Sequence, residues 1–332
     1  MLKRKLCEAV FTWELECEGP LLIADGRYKQ PIAKNDDEKG AYPTALFISR
    51  QNPDTLGSNA LKKPADLKLP YYVPGTSLRG PFRAQAERII RTLAMENAMP
   101  PYTACDPFEQ GDSKTLRSCS KCLEKEFESK YKKACPACKL FGAAGLASRI
   151  IFTDATIPKY NSVYRDMIGI DRFTGGAYTG GGEGGGAKMR LHVLENTLFT
   201  TTITVTNFEL WQLGLLAYVF RDFQDGLVPI GYGKTKGFGR VKGKVTGIMF
   251  AYPVGMNAGR TLHHLGSLAS KEEVVSYGLD STLVQEFALQ PPEPGRLQLY
   301  EVFKTDDFDT LAQRVTQVFN TFMNTRKPEV AA

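Results

Sequence analysis

Cys119 and Cys122 are followed, twelve residues on, by Cys135 and Cys138. Each pair sets two thiols about one turn apart, and two such pairs supply the four sulfur ligands of a tetrahedral zinc ion. Pro136-Ala137 suits the tight knuckle inside the second pair, and Cys105 is a fifth cysteine that can replace one of the four. A closed four-sulfur site leaves no position for water, so the zinc it implies is structural and organises the segment around it. The alternative is four thiols without a metal. Cys7 and Cys17 lie far from this cluster and read as core.

Two further motifs bring cations together with glycine. Pro74-Gly75-Thr76-Ser77-Leu78-Arg79-Gly80 reads as a turn entering a helix, with Arg83 four residues beyond Arg79. A helix N-terminus offers free N–H groups and a positive dipole end to phosphate, and Thr76, Ser77, Arg79 and Arg83 add donors. The plain alternative is a capped helix with solvated arginines. In Gly231-Tyr-Gly-Lys-Thr-Lys-Gly-Phe-Gly-Arg240, four glycines alternate with Lys234, Lys236 and Arg240, beside Tyr232 and Phe238. Glycine lets a backbone approach a ligand, the cations meet phosphates and the aromatics can stack on bases. The spacing is not that of a nucleotide-binding P-loop. A flexible hairpin is the other reading.

A glycine-dense stretch follows Arg172 and Phe173 and includes Tyr178. It reads either as a flexible tip or as a finger reaching a neighbour or an RNA strand. Asp25, Asp36 and Asp37 lie in an early polar loop, where a carboxylate can hold a divalent cation and help orient an RNA 2′-hydroxyl. Such acids are more often simply solvated. The three histidines, His192, His263 and His264, form no recognisable catalytic or metal motif.

The elements that position these residues follow from periodicity. Ala9–Cys17 alternates, with Phe11, Trp13, Leu15 and Cys17 on one face, and predicts a half-buried strand. Ala45–Ile48 predicts a short strand. Leu78, Phe82, Ala86, Ile89, Ile90 and Leu93 recur at helical spacing, with Thr76 or Ser77 as N-cap and Pro81 in the first turn. Residues 101–140 form the zinc-binding insertion. A strand resumes at Arg149–Thr153, a hairpin spans about 160–195, and a long strand ends at Thr206. Phe208–Phe223 is helical, and a last alternating strand runs through Val241–Val245. Without insertions the order is strand, helix, strand, strand, helix, strand, an α+β ferredoxin-like (RRM-like) unit. It occupies residues 1–250, and 251–332 form an appendage ending in a helix with Leu311, Val315, Val318, Phe319 and Phe322 on one side.

With 332 residues the chain can bury a substantial core, and its 42% hydrophobic and 23% charged residues are ordinary for a globular protein. The net charge of +6 permits nucleic-acid binding without requiring it. The basic start breaks into alternation rather than an apolar run, and nothing approaches membrane-spanning length, so a cytoplasmic protein with no membrane partner is expected.

Four blocks, PGTSLRGPFR, CPACKLFGAAG, GIDRFTGGA and GYGKTKGFGRV, stand in one order. Together they resemble the RAMP superfamily of CRISPR proteins, and most nearly the repeating backbone subunit of type III effector complexes. The resemblance covers most of residues 10–250. It implies an RRM-like palm with a β-hairpin thumb, stacked with neighbouring RAMP subunits along a guide crRNA that pairs with target RNA. Ser77, Arg79 and Arg83 would hold guide phosphates, the loop of Lys234, Lys236 and Arg240 would sit nearby, and the thumb would follow Gly169–Phe173. In cutting members an aspartate in the loop after the first strand supports cleavage with Mg2+ or Mn2+. Asp36 and Asp37 occupy the comparable region, ahead of Asp25. The early loop is longer than the family pattern and the thumb carries an unusual glycine run. A non-cutting structural subunit therefore stays open beside the endoribonuclease. A guide-processing ribonuclease would need a histidine near the amino-terminal palm, which is missing. A transcription-type zinc protein would leave the palm pattern unexplained.

Overall fold

In the computed structural model the described residues are 3–32, 40–63, 67–109, 117–124, 129–178, 188–255, 261–281, 287, 289 and 299–325. Asp36 and Asp37, and the glycine run at 179–187, lie outside them.

Strand β1, Glu8–Cys17, keeps the alternation of its sequence: Ala9, Phe11, Trp13, Leu15 and Cys17 are buried. On one side it pairs antiparallel with β5, Lys188–Thr206, in the register Phe11↔Ile203 and Leu15↔Phe199. On the other it pairs antiparallel with β6, Val241–Pro253, with a register shift between Thr12 and Trp13. The remaining strands are β2, Tyr72–Val73; β3, Ile150–Phe152; β4, Ala155–Ile168; and β7, Tyr300–Thr305. Among the described residues they form one sheet in the order β2-β4-β5-β1-β6-β7, with β3 also on β5. Every pairing between these strands is antiparallel. The fold is mixed α/β with an antiparallel sheet, as the periodicity predicts.

Helices α1, Gly75–Leu93, and α5, Leu210–Gln224, cover the buried face of β1. Between them lie the short α2, Cys119–Cys122, α3, Lys130–Lys133, and α4, Pro136–Phe141. Trp13 meets Phe82 of α1 edge-on at 4.9 Å and Phe223 of α5 at 5.0 Å, while Phe82 and Phe223 stack at 4.8 Å. Such aromatic pairs add about 0.5–1.5 kcal/mol each beyond area burial, so this cluster locks both helices to the central strand.

Helix α5 is buried on nearly every side, because a second helix covers the face turned away from the sheet. That helix is α8, Phe308–Thr325, after the short α6, Leu265–Leu268, and α7, Lys271–Tyr277. Trp211 stacks on Phe322 at 4.2 Å and 4°, and a Cβ on Gly214 would lie 2.1 Å from the Val315 carbonyl oxygen. Glycine there is what permits the close crossing. The residues after 251 thus contribute a strand paired with β6 and a helix packed on α5.

Three local expectations change. Ala45–Ile48 makes isolated bridges, Ala24↔Phe47 and Ala45↔Leu191, instead of a ladder. Helix α1 starts at Gly75, so Pro81 lies beyond the first turn, and neither Thr76 nor Ser77 is the N-cap residue. The capping acceptor comes from elsewhere: Asp154, in the turn from β3 to β4, accepts from the Gly75 N–H at 3.0 Å.

Candidate metal centre and nucleic-acid interface

The cysteine cluster closes, with a different fourth member than the two CxxC pairs suggest. Cys105, Cys119, Cys135 and Cys138 are all buried, and their sulfurs lie within 4.8 Å of one another. Cys122 is exposed and outside the group. The reason is local: the chain continues helically through α2, the Leu123 N–H donates to the Cys119 carbonyl at 2.9 Å, and Leu123 takes the buried position while Cys122 faces out.

Four thiols so placed fit a tetrahedral ion. A Zn–S bond of about 2.3 Å gives tetrahedral S···S edges of roughly 3.8 Å; Cys105 Sγ and Cys138 Sγ are 3.6 Å apart. The Cys135 N–H donates to Cys119 Sγ, and the Cys138 N–H to Cys135 Sγ, each at 3.4 Å. Within the cluster the thiols share their protons through mutual hydrogen bonds, which pull Cys105 and Cys135 down and push Cys119 and Cys138 up. Burial pushes up the isolated core thiols, Cys7 and Cys17, the latter to about 11. What sets the cluster apart is that its four sulfurs face one another, where a metal ion could take the place of the shared protons. Bound there, zinc would supply a cross-link between residues 105 and 138 and no open position for a substrate.

The glycine loop is held against the segment that leaves β1. The Tyr232 N–H donates to the Leu22 carbonyl at 2.8 Å, the Gly239 N–H to Pro20 at 2.9 Å, and the Ile230 N–H to Gly239 at 2.9 Å. Gly231 and Gly239 have φ of +77° and +75°, and a Cβ on either would strike a carbonyl, Leu22 O at 2.4 Å or Ile230 O at 1.8 Å. Glycine is therefore required by geometry at both positions. This frame presents Lys234 and Lys236 on an exposed 3-10 turn. Arg240 is also exposed, 4.0 Å from Glu18, which Lys242 contacts at 2.6 Å. Phe238 is only 8% exposed and packs inward, so stacking falls to Tyr232, which is 41% exposed.

At the start of α1, Thr76 is exposed and Ser77 half-buried, but the Gly75 N–H is already taken by Asp154, which also pairs with Arg50 at 3.2 Å. Arg79 donates to the Phe141 carbonyl. Arg83 donates to Glu87 at 2.8 Å, to the Gly142 carbonyl at 3.2 Å and to Cys138 Sγ at 3.5 Å. Both arginines thus turn toward α4.

Asp25 is buried and gripped by Arg27: Nε to Oδ1 at 2.9 Å, Nη2 to Oδ2 at 2.7 Å, and the backbone N–H to Oδ1 at 2.9 Å. Burial alone would raise its carboxyl, but these bonds outweigh it and hold Asp25 below the usual aspartate range. A carboxylate so engaged has little left to offer a divalent ion. His192 is fully buried, accepts from the Phe47 N–H at 3.1 Å and contacts Ser162 Oγ at 2.7 Å. Burial lowers it to about 3, so it stays neutral and structural at physiological pH.

Arg172 and Phe173 stand at the end of the β4–β5 hairpin, Phe173 99% exposed. Their turn is ordered by Tyr178 N–H to Gly169 O at 2.7 Å, Asp171 N–H to Gly176 O at 2.9 Å and Phe173 N–H to Asp171 Oδ1 at 2.8 Å. Ile168, Ile170 and Tyr178 are exposed beside them.

The structure brings together two groups that are distant in sequence, the glycine loop with the segment after β1, and the first helix with the cysteine cluster. Comparison with protein-family models matches the RAMP superfamily over residues 14–242. The chain belongs to the RAMP superfamily. No curated protein matches it. RAMP membership carries a CRISPR-associated RNA-binding function, and the matched span includes the end of β1, α1, the cysteine cluster, the β4–β5 hairpin and the glycine loop. Among the described residues no helix is long and apolar enough to cross a membrane.

Sequence reasoning missed Asp154, Arg27, Glu87 and Arg91. The last two were legible: Arg79, Arg83, Glu87 and Arg91 recur every four residues and so share one helix face. Asp154 and Arg27 carry no comparable local signal.

Proposed function

We propose that this RAMP protein is a backbone subunit of a type III CRISPR effector complex, holding crRNA phosphates and positioning target RNA between neighbouring subunits. The supporting observation is the glycine loop, fixed by backbone hydrogen bonds to the Pro20–Leu22 segment and presenting Lys234 and Lys236 outward. Cations on a backbone-locked loop bind phosphates without losing much conformational freedom. The sheet order, with β1 between β5 and β6 and one helix after β1 and another after β5, supports a ferredoxin-like palm. The β4–β5 hairpin, with exposed Arg172, Phe173 and Tyr178, is the thumb in this reading. In this reading Thr76 and Ser77, in the first turn of α1, are further guide contacts, whereas Arg79 is already engaged by the Phe141 carbonyl.

Cleavage of the target RNA, in this reading, is assigned to Asp36 and Asp37, since Arg27 engages Asp25. Mg2+ or Mn2+ held by those carboxylates would supply charge stabilisation at the scissile phosphate. The same pairing of Asp25 favours a second reading, a structural subunit that binds RNA without cutting. Target cleavage by the reconstituted complex, with Mg2+ or with EDTA, decides between them. Loss of one cut site in Asp36→Ala/Asp37→Ala with assembly intact supports the nuclease, and persistence of every cut supports the structural subunit. Failure of wild-type complex to retain crRNA would reject both.

A further inference from the structure

Helix α1 reaches the cysteine cluster through a ladder of four charged side chains spaced four residues apart. Arg79 donates to the Phe141 carbonyl and Arg83 to the Gly142 carbonyl, the two residues that end α4, the helix that carries Cys138. Arg83 Nη2 also reaches Cys138 Sγ at 3.5 Å. Two turns further on, Arg91 donates to the Ala104 carbonyl at 3.3 Å and the Cys105 carbonyl at 2.6 Å. Glu87 joins the halves, accepting from Arg83 at 2.8 Å and lying 3.6 Å from Arg91. One rigid helix therefore grips both ends of a ligand set whose outer members are 33 residues apart in sequence.

Charge completes the fit. Four thiolates around a divalent ion leave a net charge of about −2. The ladder, three guanidinium groups against one carboxylate, carries about +2. Arg83 is the member that touches a sulfur, and its side chain is only 20% exposed. Its guanidinium is already engaged by Glu87, Gly142 and Cys138.

We infer that Arg83 is a positioning residue of the metal centre rather than a phosphate ligand: it offsets the charge of the metal–thiolate group and fixes Cys138, while Glu87 and Arg91 extend the same support to Cys105. The inference rests on the reading of the cluster as a metal site and is independent of the RNA-binding proposal. It also gives α1, one of the helices that cover β1, a stake in metal occupancy.

The test is zinc affinity of the full chain without RNA, by competition with a chromophoric chelator, and the visible absorption spectrum of the Co2+-loaded protein. Arg83→Gln is expected to weaken Zn2+ binding by roughly 10–100-fold, the usual effect of losing a partner that orients a ligand. Arg83→Lys keeps the charge but not the fork, and should recover part of that loss. Arg88→Gln, on the same helix and with its guanidinium donating to Gln85 at 2.8 Å rather than toward the cysteines, should bind as wild type. A Co2+ spectrum with tetrahedral sulfur ligation that shifts in Arg83→Lys supports a direct influence on the ligands. The inference is overturned if Arg83→Gln and Arg83→Lys bind Zn2+ as wild type does. It is equally overturned if Arg83→Gln leaves the metal unchanged and flattens the salt dependence of RNA binding, the mark of a phosphate ligand removed. Wild-type chain that takes up no Zn2+ would remove the metal-site reading itself, and leave RNA binding to be judged separately.

Discussion

Replacing Cys105 by serine should weaken the chain's hold on zinc, while replacing Cys122 should leave it unchanged. Cys105 Sγ is buried 3.6 Å from Cys138 Sγ, whereas Cys122 is exposed outside the cluster. With free zinc 1,000-fold above the dissociation constant, binding stabilises the folded chain by about 4.1 kcal/mol. A hydroxyl is a far poorer zinc ligand than a thiolate; if it weakens binding 100-fold, the same zinc contributes only about 1.4 kcal/mol, a loss of about 2.7 kcal/mol. At roughly 2 °C per kcal/mol for a large domain, Cys105→Ser should melt about 5 °C lower with zinc present. Cys122→Ser, a surface change, should stay within about 0.5 kcal/mol of wild type. Elemental analysis after dialysis at free zinc near the wild-type dissociation constant gives the metal ratio, and thermal unfolding in excess zinc gives the shift. A Cys122→Ser chain that loses zinc beside a Cys105→Ser chain that keeps it would refute the ligand set, and with it the geometric argument.

Three further outcomes are expected. Lys234→Ala/Lys236→Ala should weaken single-stranded RNA binding and reduce the slope of log affinity against log salt by about 0.7 for each phosphate no longer neutralised, read from binding isotherms at several salt concentrations. Gly239→Ala places a Cβ 1.8 Å from the Ile230 oxygen at φ +75°; left-handed strain of about 1–2 kcal/mol and a similar cost of displacement should destabilise the chain by about 2–4 kcal/mol in urea unfolding. Asp25→Asn breaks the Arg27 pair and should cost about 1–3 kcal/mol at pH 7. Because the folded carboxyl lies below its ordinary value, the wild type's advantage is present above about pH 4 and fades as pH falls through the folded value, so the two chains should converge in acid.

What the sequence disclosed tracks what is local. β1 was readable because one of its faces meets the core and the other does not, and α1 because its stripe repeats every turn. The cysteine spacing announced a metal site, but which sulfurs close it depends on α2 turning Cys122 outward and on α1 holding the Cys105 carbonyl, neither of which spacing contains. The N-cap of α1 was misplaced because its acceptor, Asp154, lies 79 residues away in sequence. The burial of α5 on both sides was hidden for the same reason, since Trp211 finds its partner in Phe322. Arg83 has the residue type of a phosphate ligand and the surroundings of a buried clamp, and only the fold distinguishes the two.

The 19-residue strand β5 serves the central sheet and the hairpin without interruption: Leu198–Thr206 pairs with β1, while residues down to Lys188 pair with β4. Its middle is braced by the bridges Leu21↔Leu194 and Ala45↔Leu191. At about 3.3 Å per residue, the ten steps from Leu198 to Lys188 set a reach of roughly 33 Å. The hairpin is thus a gauge whose graduation is the residue pair. Removing two residues from each strand would shorten it by about 6.6 Å, close to two stacked bases, and leave every side chain on its own face. Removing one from each would change the length by half as much and turn Arg172 and Phe173 to the opposite side.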